Sequence, residues 1–171
     1  MSRTIVFRNR QRARKLNSRA LRKIIEPFLA SMHGLREYEL GIHLIGCEEM
    51  QRLNETYLGH QGSTDVITFD YNDPAGAHRL SGEIFICIPE AINQSRRFHV
   101  TWQSEVVRYI VHGVLHLSGF DDRAPKDRKR MKRQEDRMMR ELDRRFDLDG
   151  IGEESPDQKR NRKPRDLRVS S

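Results

Sequence analysis

Apolar residues recur in two rhythms along this chain, every second position in some stretches and every third or fourth in others. "TIVFRN" near the start reads as a strand. "SRALRKIIEPFLASM" then reads as an amphipathic helix with Leu21, Ile24, Ile25, Phe28 and Leu29 on one side. "YELGIHLIG" (38–46) alternates Leu40, Ile42 and Leu44, the mark of a half-buried strand. "CEEMQRLNETYL" returns to helical spacing, with Met50, Leu53 and Tyr57 expected inside. The small, polar "GHQGSTD" makes a loop before a short strand, "VITF". "NDPAGAH" is a turn, and "SGEIFICI" is a strand ended by Pro89, which opens the helix "PEAINQSRRF".

"WQSEVVRYIVHGVLHLSG" is apolar around much of its circumference through Val106, Val107, Ile110, Val111, Val114 and Leu115, and predicts a central buried helix. Thr101 suits its N-cap, Glu105 suits the dipole of its first turns, and Gly119 ends it. A last helix, "PKDRKRMKRQEDRMMRELDRRF", keeps an inner stripe of Met131, Met138, Leu142 and Phe146 among many charges. From Asp147 onward apolar residues nearly vanish. The expectation is therefore an α+β domain over 1–146 with a mixed sheet packed by helices, and a disordered basic tail over 147–171. There is no internal repeat.

Composition adds a partner and a compartment. With 171 residues the chain suffices for one domain. Its net charge of +7 points to a polyanion, since Lys and Arg gain affinity by releasing counterions from phosphates. Residues 1–25 hold no acid, yet they read as strand and helix rather than as a cleaved targeting segment. No apolar run approaches the ~18 residues of a membrane span. Cys47 and Cys87 form no CxxC pair and read as two reduced, buried thiols of a cytoplasmic protein.

The chemistry concentrates in "HGVLHLSGFDD". His112 and His116 stand one helical turn apart, so both imidazoles project from one face and can share a divalent metal, zinc being the commonest. The plainer alternative is a pair of core histidines satisfied by hydrogen bonds. Three features favour the metal: the face is apolar, Gly119 lets the chain fold back, and a carboxylate arrives at Asp122. The offsets match the metzincin pattern HExxHxxGxxH, in which glycine permits the turn that returns the third ligand. Gly113 stands where a metalloprotease has its glutamate base, which argues against peptidase chemistry.

"HGVLHLSGFDD" closely resembles the HGxLHLxGYDH signature of the YbeY family, metal-dependent endoribonucleases linked to ribosomal RNA maturation. "LNETYLGHQGSTDVITFDY" and "SGEIFICIPEA" resemble that family's other two blocks, in the same order. The resemblance implies a zincin-like fold with a central HxxxH-bearing helix and one zinc per chain on His112, His116 and Asp122. It implies a single-stranded RNA substrate, a part in small-subunit rRNA 3′-end maturation and ribosome quality control, and small-subunit proteins and an assembly GTPase as partners. Cleavage would be metal-assisted, with either an activated water or the RNA's own 2′-OH as nucleophile.

Two residues depart from the family pattern. Asp122 stands in place of the usual third His, and Leu58 in place of a common Arg thought to meet the phosphate. A substitute cation would come from Arg52 or the basic ends. Asp121 beside the third ligand could orient a ligand, act as a base, or cap the turn. Thr64 and Asp65 are candidates for substrate contact or for turn capping, and Glu83 for substrate contact or a solvated strand position. His60 could meet a phosphate or lie exposed, and the run Arg128, Lys129, Arg130, Lys132, Arg133 could be RNA-binding or only solvated. The rival readings are a zinc-bearing ribosome-assembly factor that binds RNA without cutting it, and a hydrolase acting on another substrate such as a peptide.

Overall fold

In chain order the elements are β1 (Arg3–Asn9), α1 (Ser18–Ser31), β2 (Glu37–Ile45), α2 (Cys47–Leu53), β3 (Val66–Asp70), β4 (Arg79–Cys87), α3 (Ile88–Phe98), α4 (Trp102–Leu117) and α5 (Pro125–Arg145). They come from a computed structural model that describes residues 2–76 and 78–152. The strands form one sheet in the order β1-β2-β4-β3. β1 and β4 flank β2 in parallel, and β3 runs antiparallel along β4. The α+β class with a mixed sheet is as expected.

Pleating divides the strands between two faces. Ile5, Leu40, Ile42, Leu44, Ile84 and Ile86 point to the face covered by α1, α3, α4 and α5, and form the main core with them. The opposite face carries a smaller cluster of Ile45, Met50, Ile67, Phe85 and Cys87 under α2. α4 lies against β3, β4, α3 and α5, so its near-continuous burial follows from neighbours on several sides. Gly113 sets how closely it approaches: a Cβ there would stand 2.7 Å from Ile84 Cδ1. The position that lacks a protease's glutamate is therefore a helix–sheet contact.

Some inward positions differ from the periodicity. Met50 is fully buried, but Tyr57 is 64% exposed. Beyond Leu53 the helix widens into a π-turn over Asn54–Leu58, which rotates Tyr57 off the inner face and onto the edge of Phe69. On α5 the buried side chains are Met131, Met139 and Leu142, while Met138 and Phe146 pack at the margin. Regular structure also passes residue 146, where the sequence predicts the tail to start. Leu148 and Ile151 are buried in a 3-10 turn, Ile151 O accepts from Asn17 N–H at 2.7 Å, and Gly152 bridges to Leu16. The remainder of the expected tail, 153–171, lies outside the described residues.

Candidate metal centre

α4 starts at Thr101, whose side chain accepts the Ser104 N–H, and it ends at Gly119 in the left-handed region with φ 96°. Gly119 N–H donates to His116 O and Phe120 N–H to Leu115 O, which turns the chain back across the helix end. Asp121 tightens that turn: its Oδ1 accepts from Asp122 N at 2.7 Å and from Arg123 N at 3.0 Å. Glycine and aspartate together thus deliver Asp122 to the histidines.

Three donor atoms converge there. His112 Nε2 and His116 Nε2 are 3.1 Å apart, and Asp122 Oδ2 lies 3.7 Å and 3.4 Å from them. His116 Nδ1 meets Phe120 O at 3.1 Å, and His112 Nδ1 meets Glu135 Oε2 at 2.9 Å. A carbonyl and a carboxylate only accept, so each Nδ1 carries a proton and each Nε2 is turned toward the other. Two lone pairs and a carboxylate so close repel unless a cation lies among them. Among the described residues this is the one cluster of His, Cys, Asp and Glu fit to hold a metal.

The supporting shell runs along α4 and across to α5. Arg108 Nη1 bonds Glu135 Oε1 and Asp136 Oδ1, both at 2.8 Å, so Arg108 fixes Glu135 and Glu135 fixes His112. Burial alone would raise the Glu135 pKa, but the bonds from His112 and Arg108 bring it below the usual carboxylate value. At His112 burial works downward, and the Glu135 bond with the charges of Glu135 and Asp122 outweighs it, so its pKa rises. The field favours positive charge at this corner, whether a proton or a metal.

Two cavities meet at the cluster. One of about 610 Å³ is lined by Asp65, Glu105 and Tyr109, the other of about 470 Å³ by Arg128, Lys129 and Met131; His112, Asp122, Lys132 and Glu135 line both. Tyr109 Oη is buried with no hydrogen-bond partner among the described residues. Burial, with the charges of Asp65 and Glu105, raises the pKa of that phenol and keeps it a donor.

The other sequence-predicted positions divide between the cleft and elsewhere. Asp65 lines the larger cavity, with Thr64 Oγ1 donating to its Oδ1 at 3.4 Å. Asp121 faces away, held by Arg123 (Nη2–Oδ2 2.9 Å), whose bonds lower its pKa to about 2. Glu83 does not border the cleft. Its neighbours Gly82 and Ile84 pack against α4, so the pleat sends Glu83 to the opposite face, with His43 and Tyr71. Arg52 pairs with Glu48 on α2 at 3.5 Å, and neither it nor the exposed His60 lines these cavities. Leu58 is exposed.

Arg108, Tyr109 and Glu135 escape the sequence reading. A signal for the first two exists: Glu105, Arg108, Tyr109, His112 and His116 follow helical spacing down one side of an otherwise apolar helix. Glu135 has no such signal within the charges of α5.

Comparison with known proteins bears on the family and the fold. The family model described as Endoribonuclease YbeY matches residues 6–143. A protein named Endoribonuclease YbeY from Chlorobium luteolum is 34% identical over 129 residues, covering 75% of this chain and 91% of that one. Its namesake from Chlorobium phaeovibrioides is 34% identical over 139 residues, covering 81% and 90%. A Thermotoga maritima protein solved in solution shares the fold, with TM-score 0.63 and 22% identity over 90% of this chain and 98% of its own. From the model match and the extent of these relatives, the chain belongs to the YbeY endoribonuclease family.

Proposed function

We propose that this protein is a zinc-dependent endoribonuclease that cuts single-stranded RNA, acting on small-subunit ribosomal RNA. The observation that carries the reading is the convergence of His112, His116 and Asp122, with His112 and Asp122 bordering two cavities. A tetrahedral zinc at bond lengths near 2.0–2.1 Å needs donor–donor edges of about 3.3 Å. The edges of 3.1, 3.4 and 3.7 Å bracket that value. Three protein donors leave a fourth position for water or substrate, and a bound cation supplies a Lewis acid for a phosphodiester.

The chain's own residues do the rest. Glu135 and Arg108 hold His112 in one tautomer and orientation. Lys132 borders both cavities, is 71% exposed at its side chain and pairs with Asp136 at 3.5 Å; a phosphate at the cluster would draw it from that carboxylate. Lys132 replaces the cation that Leu58 lacks, a role Arg52 is on the wrong face to fill. Arg128 and Lys129 extend the positive track along α5.

The test is metal analysis of the purified protein together with cleavage of a labelled single-stranded RNA. One zinc per chain and cleavage lost on His116→Ala support the reading. Zinc without any cleavage, together with salt-dependent RNA binding, would favour an assembly factor that binds RNA uncut.

A further inference from the structure

Cys47 and Cys87 read in the sequence as separate buried thiols, but the fold brings their sulfurs to 3.7 Å. The cause is register. β2 and β4 run parallel with Ile45 beside Cys87, and Cys47 opens α2 just beyond the end of β2. Cys47 is exposed and Cys87 is buried. We propose that this pair is an oxidative modification site, which a two-electron oxidant of the peroxide class closes into an intrachain disulfide and an external dithiol reopens.

The chemistry balances in two steps. Solvent peroxide meets Cys47, whose thiolate attacks one oxygen; the O–O bond breaks, leaving a sulfenic acid and one water. The Cys87 sulfur then attacks the Cys47 sulfur; the S–O bond breaks, and the hydroxyl leaves as a second water with the Cys87 proton. Two thiols and one peroxide become one disulfide and two waters. The sulfurs start in van der Waals contact and must approach by roughly 1.7 Å, which side-chain rotation and a small shift at the start of α2 can supply. Burial raises the Cys87 pKa to about 11, so it is the protected, resolving partner and Cys47 the oxidised one.

The site adjoins the loop that reaches the metal cleft. Cys87 N–H donates to Asp65 O at 2.9 Å, and Ser63 Oγ lies 3.6 Å from Cys87 Sγ. Closing the bond draws Cys87 Sγ from Ser63 and is felt over residues 63–66.

The experiment uses the full-length, metal-loaded protein, first reduced and then given a small excess of hydrogen peroxide. Free thiols should fall from two per chain to none. Tryptic mapping should join the Cys47 and Cys87 peptides of one chain, and dithiothreitol should part them. Amide exchange over 63–66 should differ between the two forms. In Cys87→Ser the reaction should stop at a Cys47 sulfenic acid that dimedone traps, and in Cys47→Ser the Cys87 thiol should survive. A wild-type Cys87 still fully alkylated after Cys47 is oxidised, or disulfides only between chains, would overturn the proposal. Identical exchange over 63–66 in the two forms would overturn its link to the cleft loop.

Discussion

The two faces of the sheet each hold a histidine bonded to a glutamate at 2.9 Å, His112 with Glu135 and His43 with Glu83. On the helical face the second nitrogen of His112 is left over and meets two further donors. On the other face nothing is left over. Arg10 Nη1 lies 3.2 Å from His43 Nδ1 and can only donate, so Nδ1 accepts and Nε2 donates its proton to Glu83. The ring stacks on Phe85 at 4.2 Å, and Tyr71 donates to the other Glu83 oxygen at 2.8 Å. A histidine–carboxylate pair becomes a metal ligand where its remaining lone pair is unsatisfied, and a structural clasp where every atom has its partner.

The largest effect expected is on metal content. His112→Ala or His116→Ala should drop zinc from one per chain to near none and lower RNA cleavage by at least ~100-fold, since a ligand is lost outright. His43→Ala should keep its zinc and lose about 1–3 kcal/mol of stability, as a buried hydrogen-bonded ring is removed. Elemental analysis beside chemical denaturation separates the two, and a zinc-free His43→Ala would erase the distinction between the faces.

Glu135→Gln should lower zinc affinity by about 10–100-fold, read by chelator competition, because an amide supports His112 less strongly than a carboxylate. Glu83→Gln should leave zinc affinity where it is. Lys132→Ala should weaken RNA binding evenly across sequences and reduce the slope of log affinity against log salt by about 1, as one phosphate contact is lost. An unchanged slope would move the phosphate contact elsewhere.

The smallest effect is one of pH. Burial would raise the Glu83 pKa, but the bonds from Tyr71 and His43 outweigh it and bring it below its ordinary value of 4.5. A depressed carboxylate stabilises the fold above its unfolded pKa, and that contribution is lost as pH falls through the folded pKa. Thermal melts of Glu83→Gln should therefore sit slightly below wild type at neutral pH and converge with it in acid below 4.5. A gap that widens in acid would reverse the sign.

The candidate ligands were legible because they are local. HxxxH, the helix-ending Gly119 and Asp122 lie within one turn-and-return, and periodicity alone places both rings on one side of α4. Of the two readings open for Glu83, substrate contact fails because it depends on which face of β4 meets α4, a matter of pleat register against a distant helix. Arg52 fails likewise, since α2 covers the face away from the metal. Tyr57 misled because a π-turn is invisible in a 3.6-residue pattern. Met138 misled because its neighbour Met139 fits the inner side of α5 equally well in sequence.

By itself the sequence determined the mixed α+β elements, the family, and three donors at workable spacing, all set by neighbours within a few residues. Only the tertiary structure decided which charges serve those donors. Glu135 reaches His112 from α5, Cys47 meets Cys87 across two parallel strands, and His43 closes on Glu83 behind the sheet. Each pairing joins residues over 20 positions apart. Helical and strand periods record which way a side chain points, but strand order and helix docking choose what it meets.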